Sequence, residues 1–198
     1  MKPPVPDLPR IVDGIVGVGR VRTKIILLGM RGVGKSTVGV ILARTIAAPF
    51  HDLDDLVLSR LGATSVKQIF QDCEEHVWRE AEVSALKAHL CSVAVAEPSV
   101  LAIGGGAPIN PDCAQLLRSA RLTGWRIVYL TAPIEVLAER LERDFGDRTM
   151  LTDLSLVAEL TQQEQQRTTA YVALSDAVVD GSPGPEIVAG RVAALDFA

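Results

Sequence analysis

From residue 24 to about residue 180, short apolar runs alternate with stretches whose apolar positions recur every three or four residues. The run Lys24-Ile25-Ile26-Leu27-Leu28 is continuous enough for a strand buried on both faces, and residues 38–44 behind it carry the helical spacing. Further strand signals lie at 49–53, 100–103 and 126–130, with a weak last one at 177–179. Between them, 65–70, 74–89, 112–120, 133–143 and 154–171 read as helices. Strands alternating with helices predict right-handed crossovers and a doubly wound parallel sheet. Such sheets bind ligands beyond the carboxyl ends of their strands, so the chemistry is sought in the loops there.

Composition sharpens this picture at three points. Hydrophobic residues make up 48% of the chain but aromatic ones only 4%, so the core is expected to be built from Val, Leu, Ile and Ala. The formal charge of −4 leaves no electrostatic footprint for nucleic acid, and any hold on an anion must come from local Arg and Lys. Residues 1–22, with four prolines and three glycines, read as a loose extension before a single domain at 23–198. No apolar run reaches membrane-spanning length and the start does not resemble a signal peptide, which predicts a cytoplasmic protein. Cys73, Cys91 and Cys113 form no C-x-x-C pair and are expected to be reduced core or surface thiols; His51, His76 and His89 have no ligand spacing and are expected to be exposed or hydrogen-bonded rather than catalytic.

The strongest motif follows the first strand. Gly29-Met30-Arg31-Gly32-Val33-Gly34-Lys35-Ser36-Thr37 matches the phosphate loop G-x-x-x-x-G-K-[ST], between a strand and a helix as the mechanism requires. Its glycines let backbone N–H groups curl around a polyphosphate, Lys35 reaches the β and γ phosphates, and the Ser36 hydroxyl can ligate Mg²⁺. The helix N-terminus adds its partial positive charge.

Two weaker constellations fall where the same sheet edge would gather them. In Asp52-Leu53-Asp54-Asp55, continued extended geometry would send Asp52 and Asp54 to one side, one carboxylate serving Mg²⁺ and the other accepting a proton from an attacking hydroxyl. The plainer reading is an acidic turn capping a helix at Leu56-Val57-Leu58. Gly104-Gly105-Gly106 follows the strand at 100–103 and leaves backbone N–H groups open to close approach, although tight turns use the same residues.

Taken in order, these motifs resemble the shikimate kinase family over roughly residues 24–180. The resemblance is carried by the phosphate loop, F-H-D-L-D-D at 50–55, I-F at 69–70, E-x-x-x-W-R-x-x-E at 74–82, G-G-G-A at 104–107, V-Y-L at 128–130, Arg148, and R-x-x-x-Y at 167–171. It implies a three-layer α/β/α fold with a five-stranded parallel sheet, a P-loop kinase core and a mobile lid at about 144–165. The implied activity is transfer of the γ-phosphoryl group of ATP to the 3-hydroxyl of shikimate, with Mg²⁺, in a protein able to work as a monomer.

By that resemblance Asp54 touches the substrate hydroxyls, Arg79 and Arg167 grip the substrate carboxylate, and Gly104, Gly105 and Gly106 offer N–H groups beside it. Gly29, Gly32, Val33, Gly34, Lys35, Ser36 and Thr37 hold the nucleotide, Asp52 works with Ser36 on the magnesium side, Arg148 closes on the phosphates, and Arg140 packs on the adenine. Glu82, three residues after Arg79, shares its helical face and is expected to hold it. The chain departs from the family pattern at Thr149 and Thr169, where relatives usually carry proline. It departs again at Cys73, where a glycine is common, and at Trp78, which stands in place of a common Phe and is expected either to wall the acceptor site or to join the core. Two other classes compete: a gluconate-type kinase on the same core, which needs different acceptor groups, and a non-catalytic binding module derived from such a kinase.

Overall fold

The computed structural model describes residues 23–66, 69, 75–94, 97–143 and 155–197. Strand β1 (Lys24–Gly29) is fully buried and is followed by helix α1 (Lys35–Thr45). β2 (Phe50–Asp52) runs straight into α2 (Leu53–Leu61), and α3 (Glu75–Ser92) leads to β3 (Ser99–Ala102). A 3₁₀ turn (Ala107–Ile109) and α4 (Pro111–Leu122) precede β4 (Trp125–Thr131) and α5 (Ile134–Arg143). The long helix α6 (Leu156–Leu174), β5 (Ala177–Asp180) and α7 (Pro185–Ala193) complete the described elements.

The five strands form one sheet in the order β2-β3-β1-β4-β5, and every pairing is parallel. Helices α1 and α7 cover one face, while α3, α4 and α6 pack over the other. The result is the three-layer α/β/α arrangement that the alternation of apolar runs predicts. Because β1 is flanked by the later strands β3 and β4, the chain reverses its winding beside β1, and the phosphate loop leaves the sheet at that switch point.

The core is mostly aliphatic, as composition predicts, with Ile26, Leu27, Leu28, Leu101, Ile127 and Leu130 at its centre. Four aromatic residues lie there as well: Trp125 and Tyr171 are the largest fully buried side chains, and Trp78 and Tyr129 are nearly as enclosed. His89 is buried too, its ring 4.6 Å from that of His51 and 5.9 Å from that of Trp125. Among the described cysteines Cys113 is buried and Cys91 exposed; Cys73 lies outside the described residues. No helix among the described residues is long and apolar enough to cross a membrane.

Two local outcomes differ from the expectations. The extended geometry does not continue to Asp54, because α2 begins at Leu53 and Asp54 sits in its first turn. The C-terminal helix α7 was not anticipated; Pro185 at its first position and buried Val188, Ala189 and Val192 explain it. The extension at 1–22 lies outside the described residues. Of the span expected to form a lid, 144–154 also lies outside them, and 156–165 belongs to α6, where Glu159, Leu160 and Gln163 are buried.

Candidate active site

The phosphate loop is shaped by residues that must be glycine. At Gly29 φ is +150° and a Cβ would lie 2.3 Å from the Leu130 carbonyl oxygen, while Gly34, at φ +95°, caps α1. With these bends in place Val33 turns its side chain into the core, so only its backbone can serve a ligand. Lys35 Nζ donates to the carbonyls of Gly29 at 2.9 Å and Met30 at 3.0 Å, which keeps the cation folded over the loop. Ser36 and Thr37 are exposed in the first turn of α1.

Asp52 caps a helix, as its plainer reading has it, and contacts Ser36 as well. Its Oδ1 accepts from the Asp54 N–H at 3.1 Å and caps α2, while its Oδ2 accepts from Ser36 Oγ at 2.6 Å. A hydroxyl and a carboxylate in contact at the start of α1 make a donor pair suited to a hard cation that keeps most of its waters and takes phosphate oxygens as further ligands. No group of three or more His, Cys, Asp or Glu that could cage a metal occurs among the described residues.

Each of the three glycines after β3 borders different side chains. A Cβ on Gly104 would stand 3.0 Å from Asp54 Oδ1 and 3.2 Å from Glu82 Oε1; one on Gly105 would meet Arg167 Nη1 at 3.2 Å; one on Gly106 would strike Arg79 Nη1 at 2.6 Å. The G-G-G run is thus more than a turn, because its bare backbone faces Asp54, Arg79 and Arg167 together.

Each of these side chains has its own support. Arg79 Nη1 donates to Glu82 Oε2 at 3.1 Å, and its Nε and Nη2 donate to Glu75 Oε1 at 3.2 and 3.0 Å. The i,i+3 contact with Glu82 was expected, while the i,i+4 contact with Glu75 was missed although the spacing was legible. Trp78 is buried in the core and hydrogen-bonds Glu82. Tyr171, one turn beyond Arg167 on α6, donates to the Gly105 carbonyl at 2.6 Å and hydrogen-bonds Arg167, so it fastens this helix to the glycine loop.

Electrostatics singles out Asp54. Burial pushes its carboxyl up to about 6, and the carboxylates of Asp52 and Glu82 push the same way against Lys35. Glu82 is raised as well, by burial, although Arg79 opposes the change. Burial and the neighbouring Glu82 hold the Cys113 thiol at about 12, far from a reactive thiolate.

Arg140 reaches the opposite flank of the loop. Its Nη1 donates to Val33 O at 3.3 Å and Gly181 O at 2.9 Å, and its Nη2 to Ser182 O at 2.7 Å, tying α5 to the loop after β5. A guanidinium held by its edges keeps its faces for stacking. Arg148 lies outside the described residues.

Comparison with known proteins agrees with the geometry. The family model described as Shikimate kinase matches residues 31–195, so the likeness takes in α7 as well. The shikimate kinase of Geobacter sulfurreducens is 38% identical over 157 residues, covering 77% of this chain and 81% of that protein. That of Syntrophus aciditrophicus is 34% identical over 169 residues, covering 80% and 82%. Among solved structures, the shikimate kinase from Acinetobacter baumannii in complex with shikimate superposes with a TM-score of 0.76 at 26% identity, covering 87% of this chain and 92% of that one. A bare phosphate loop would be matched by many unrelated kinases. Similarity that runs through the acidic turn, the glycine loop and α6 is more than that, and this chain belongs to the shikimate kinase family.

Proposed function

We propose that this chain transfers the γ-phosphoryl group of ATP to the 3-hydroxyl of shikimate, giving shikimate 3-phosphate and ADP on the way to chorismate and the aromatic amino acids. The observation that carries the reading is the glycine loop at 104–106, whose backbone borders Asp54, Arg79 and Arg167 at once. A ring bearing a carboxylate and hydroxyls suits that arrangement. Two guanidiniums pair with the carboxylate, and Asp54 takes the hydroxyl end.

In this reading Asp54 accepts a hydrogen bond from the attacking hydroxyl and takes its proton as the phosphoryl group departs from ADP. Lys35 leaves the carbonyls of Gly29 and Met30 to meet the β and γ phosphates, and the N–H groups of 32–37 line the polyphosphate. Ser36 and Asp52 would hold Mg²⁺, which when bound would supply charge neutralisation to the polyphosphate. Arg140 offers a face to the adenine, and Arg148 supplies a further cation to the phosphates. The same reading has the protein working as a cytoplasmic monomer with no nucleic-acid partner.

The test is ADP release from MgATP with shikimate, with no acceptor, and with quinate or gluconate. Strong stimulation by shikimate alone is expected. Equal turnover on gluconate would overturn the substrate assignment, and nucleotide binding without turnover on any acceptor would favour the binding-module alternative.

A further inference from the structure

Helix α6 meets the phosphate loop at a point that the chemistry above does not use. Arg31, the third residue of the loop, places Nη2 2.9 Å from Glu159 Oε1, and Gln163 Nε2 donates to that same oxygen at 2.7 Å. Glu159 is only 1% exposed and Gln163 8%. The carboxylate lies in the first turn of α6, where the helix end favours negative charge.

The network is polar throughout and incompletely paired within the protein. Arg31 Nε, Glu159 Oε2 and Gln163 Oε1 are buried with no hydrogen-bond partner among the described residues. Gln163 cannot be turned over to improve matters, since its amide oxygen would then face the Glu159 carboxylate.

Stability alone does not account for such a cluster. A buried ion pair is commonly no better than an apolar pair of similar size, whereas losing one partner is costly. The arginine, moreover, comes from the one loop whose backbone must keep a fixed curve, and a buried carboxylate near a polyphosphate site would repel nucleotide unless a cation were held against it.

We propose that Glu159 is a positioning residue for the nucleotide half of the site. Steadied by Gln163, it fixes the Arg31 guanidinium and through it the curve of the phosphate loop, so that the loop is shaped before nucleotide arrives. This rests on the reading of 29–37 as a nucleotide site but not on the identity of the acceptor.

The experiment is titration of the full chain with MgATP in the absence of acceptor, for wild type, Glu159→Gln, Arg31→Gln and the double variant, with thermal unfolding measured in parallel. Each single variant should weaken MgATP binding about tenfold, and the double should be no weaker than either single because both break one link. In turnover assays KM for MgATP should rise while KM for the acceptor stays near its wild-type value. Glu159→Met, apolar and of similar volume, provides a second variant should the amide fail to fold. Wild-type affinity in a folded Glu159→Gln, or losses that multiply in the double variant, would overturn the proposal. Failure of the wild type itself to bind MgATP would instead sink the underlying nucleotide-site reading.

Discussion

In the proposed transfer Asp54 is the residue on which the chemistry turns, because it combines position with an unusual charge state. It stands beside the glycine loop with Glu82 and Asp52 as neighbours, and burial with these two carboxylates holds it at about 6. Replacing it by Asn keeps the shape and removes the proton acceptor. Turnover of Asp54→Asn should fall by a factor on the order of 10²–10⁴, with MgATP affinity nearly unchanged. A steady-state rate within about threefold of wild type would remove Asp54 from the mechanism. The sequence made its identity legible but not its setting. Extended backbone through Asp54 was expected, whereas Asp52 caps a helix at that point and turns Asp54 inward, a choice made by one side chain accepting one N–H.

At the scale of elements, the glycine loop shapes the proposed acceptor site by letting side chains approach the backbone where any other residue would intrude. Gly106→Ala is the sharpest probe, since its Cβ would lie 2.6 Å from Arg79 Nη1 and 2.9 Å from Nη2. The guanidinium is the far end of a flexible chain, so the fold can absorb the change, but Arg79 must leave the place where Glu75 and Glu82 hold it. KM for the acceptor should rise about tenfold or more, consistent with disturbing charge-assisted bonds, while KM for MgATP and the melting temperature move little. An unchanged acceptor KM would show that Arg79 does not touch the acceptor. Elements with strong periodicity were legible to within a few residues, among them β1, β4 and α5. Contacts between distant segments were not: Tyr171 to Gly105 and Arg31 to Glu159 depend on how α6 lies over the loops, which no local spacing records.

For the molecule as a whole, the two ends of α3's environment respond to pH in opposite directions. Asp54 is raised from 3.8 to about 6, chiefly by burial. The native state therefore binds the extra proton, and the associated stability, present below 3.8, is lost as pH rises through 6. His89 is lowered from 6.5 to about 4, by burial first and then by His51. Here the unfolded chain binds the extra proton, so stability is present above 6.5 and lost as pH falls toward 4. Each shift corresponds to at most about 3 kcal/mol across its window, and the windows nearly coincide. In metal-free buffer the wild type should thus show a shallow stability profile between roughly pH 4 and 6.5. Asp54→Asn should uncover the histidine and become less stable as pH falls, while His89→Leu should uncover the aspartate and become less stable as pH rises. Urea unfolding at several pH values measures both slopes. Profiles that tilt the same way in the two variants would show that one of these groups titrates normally in the folded chain.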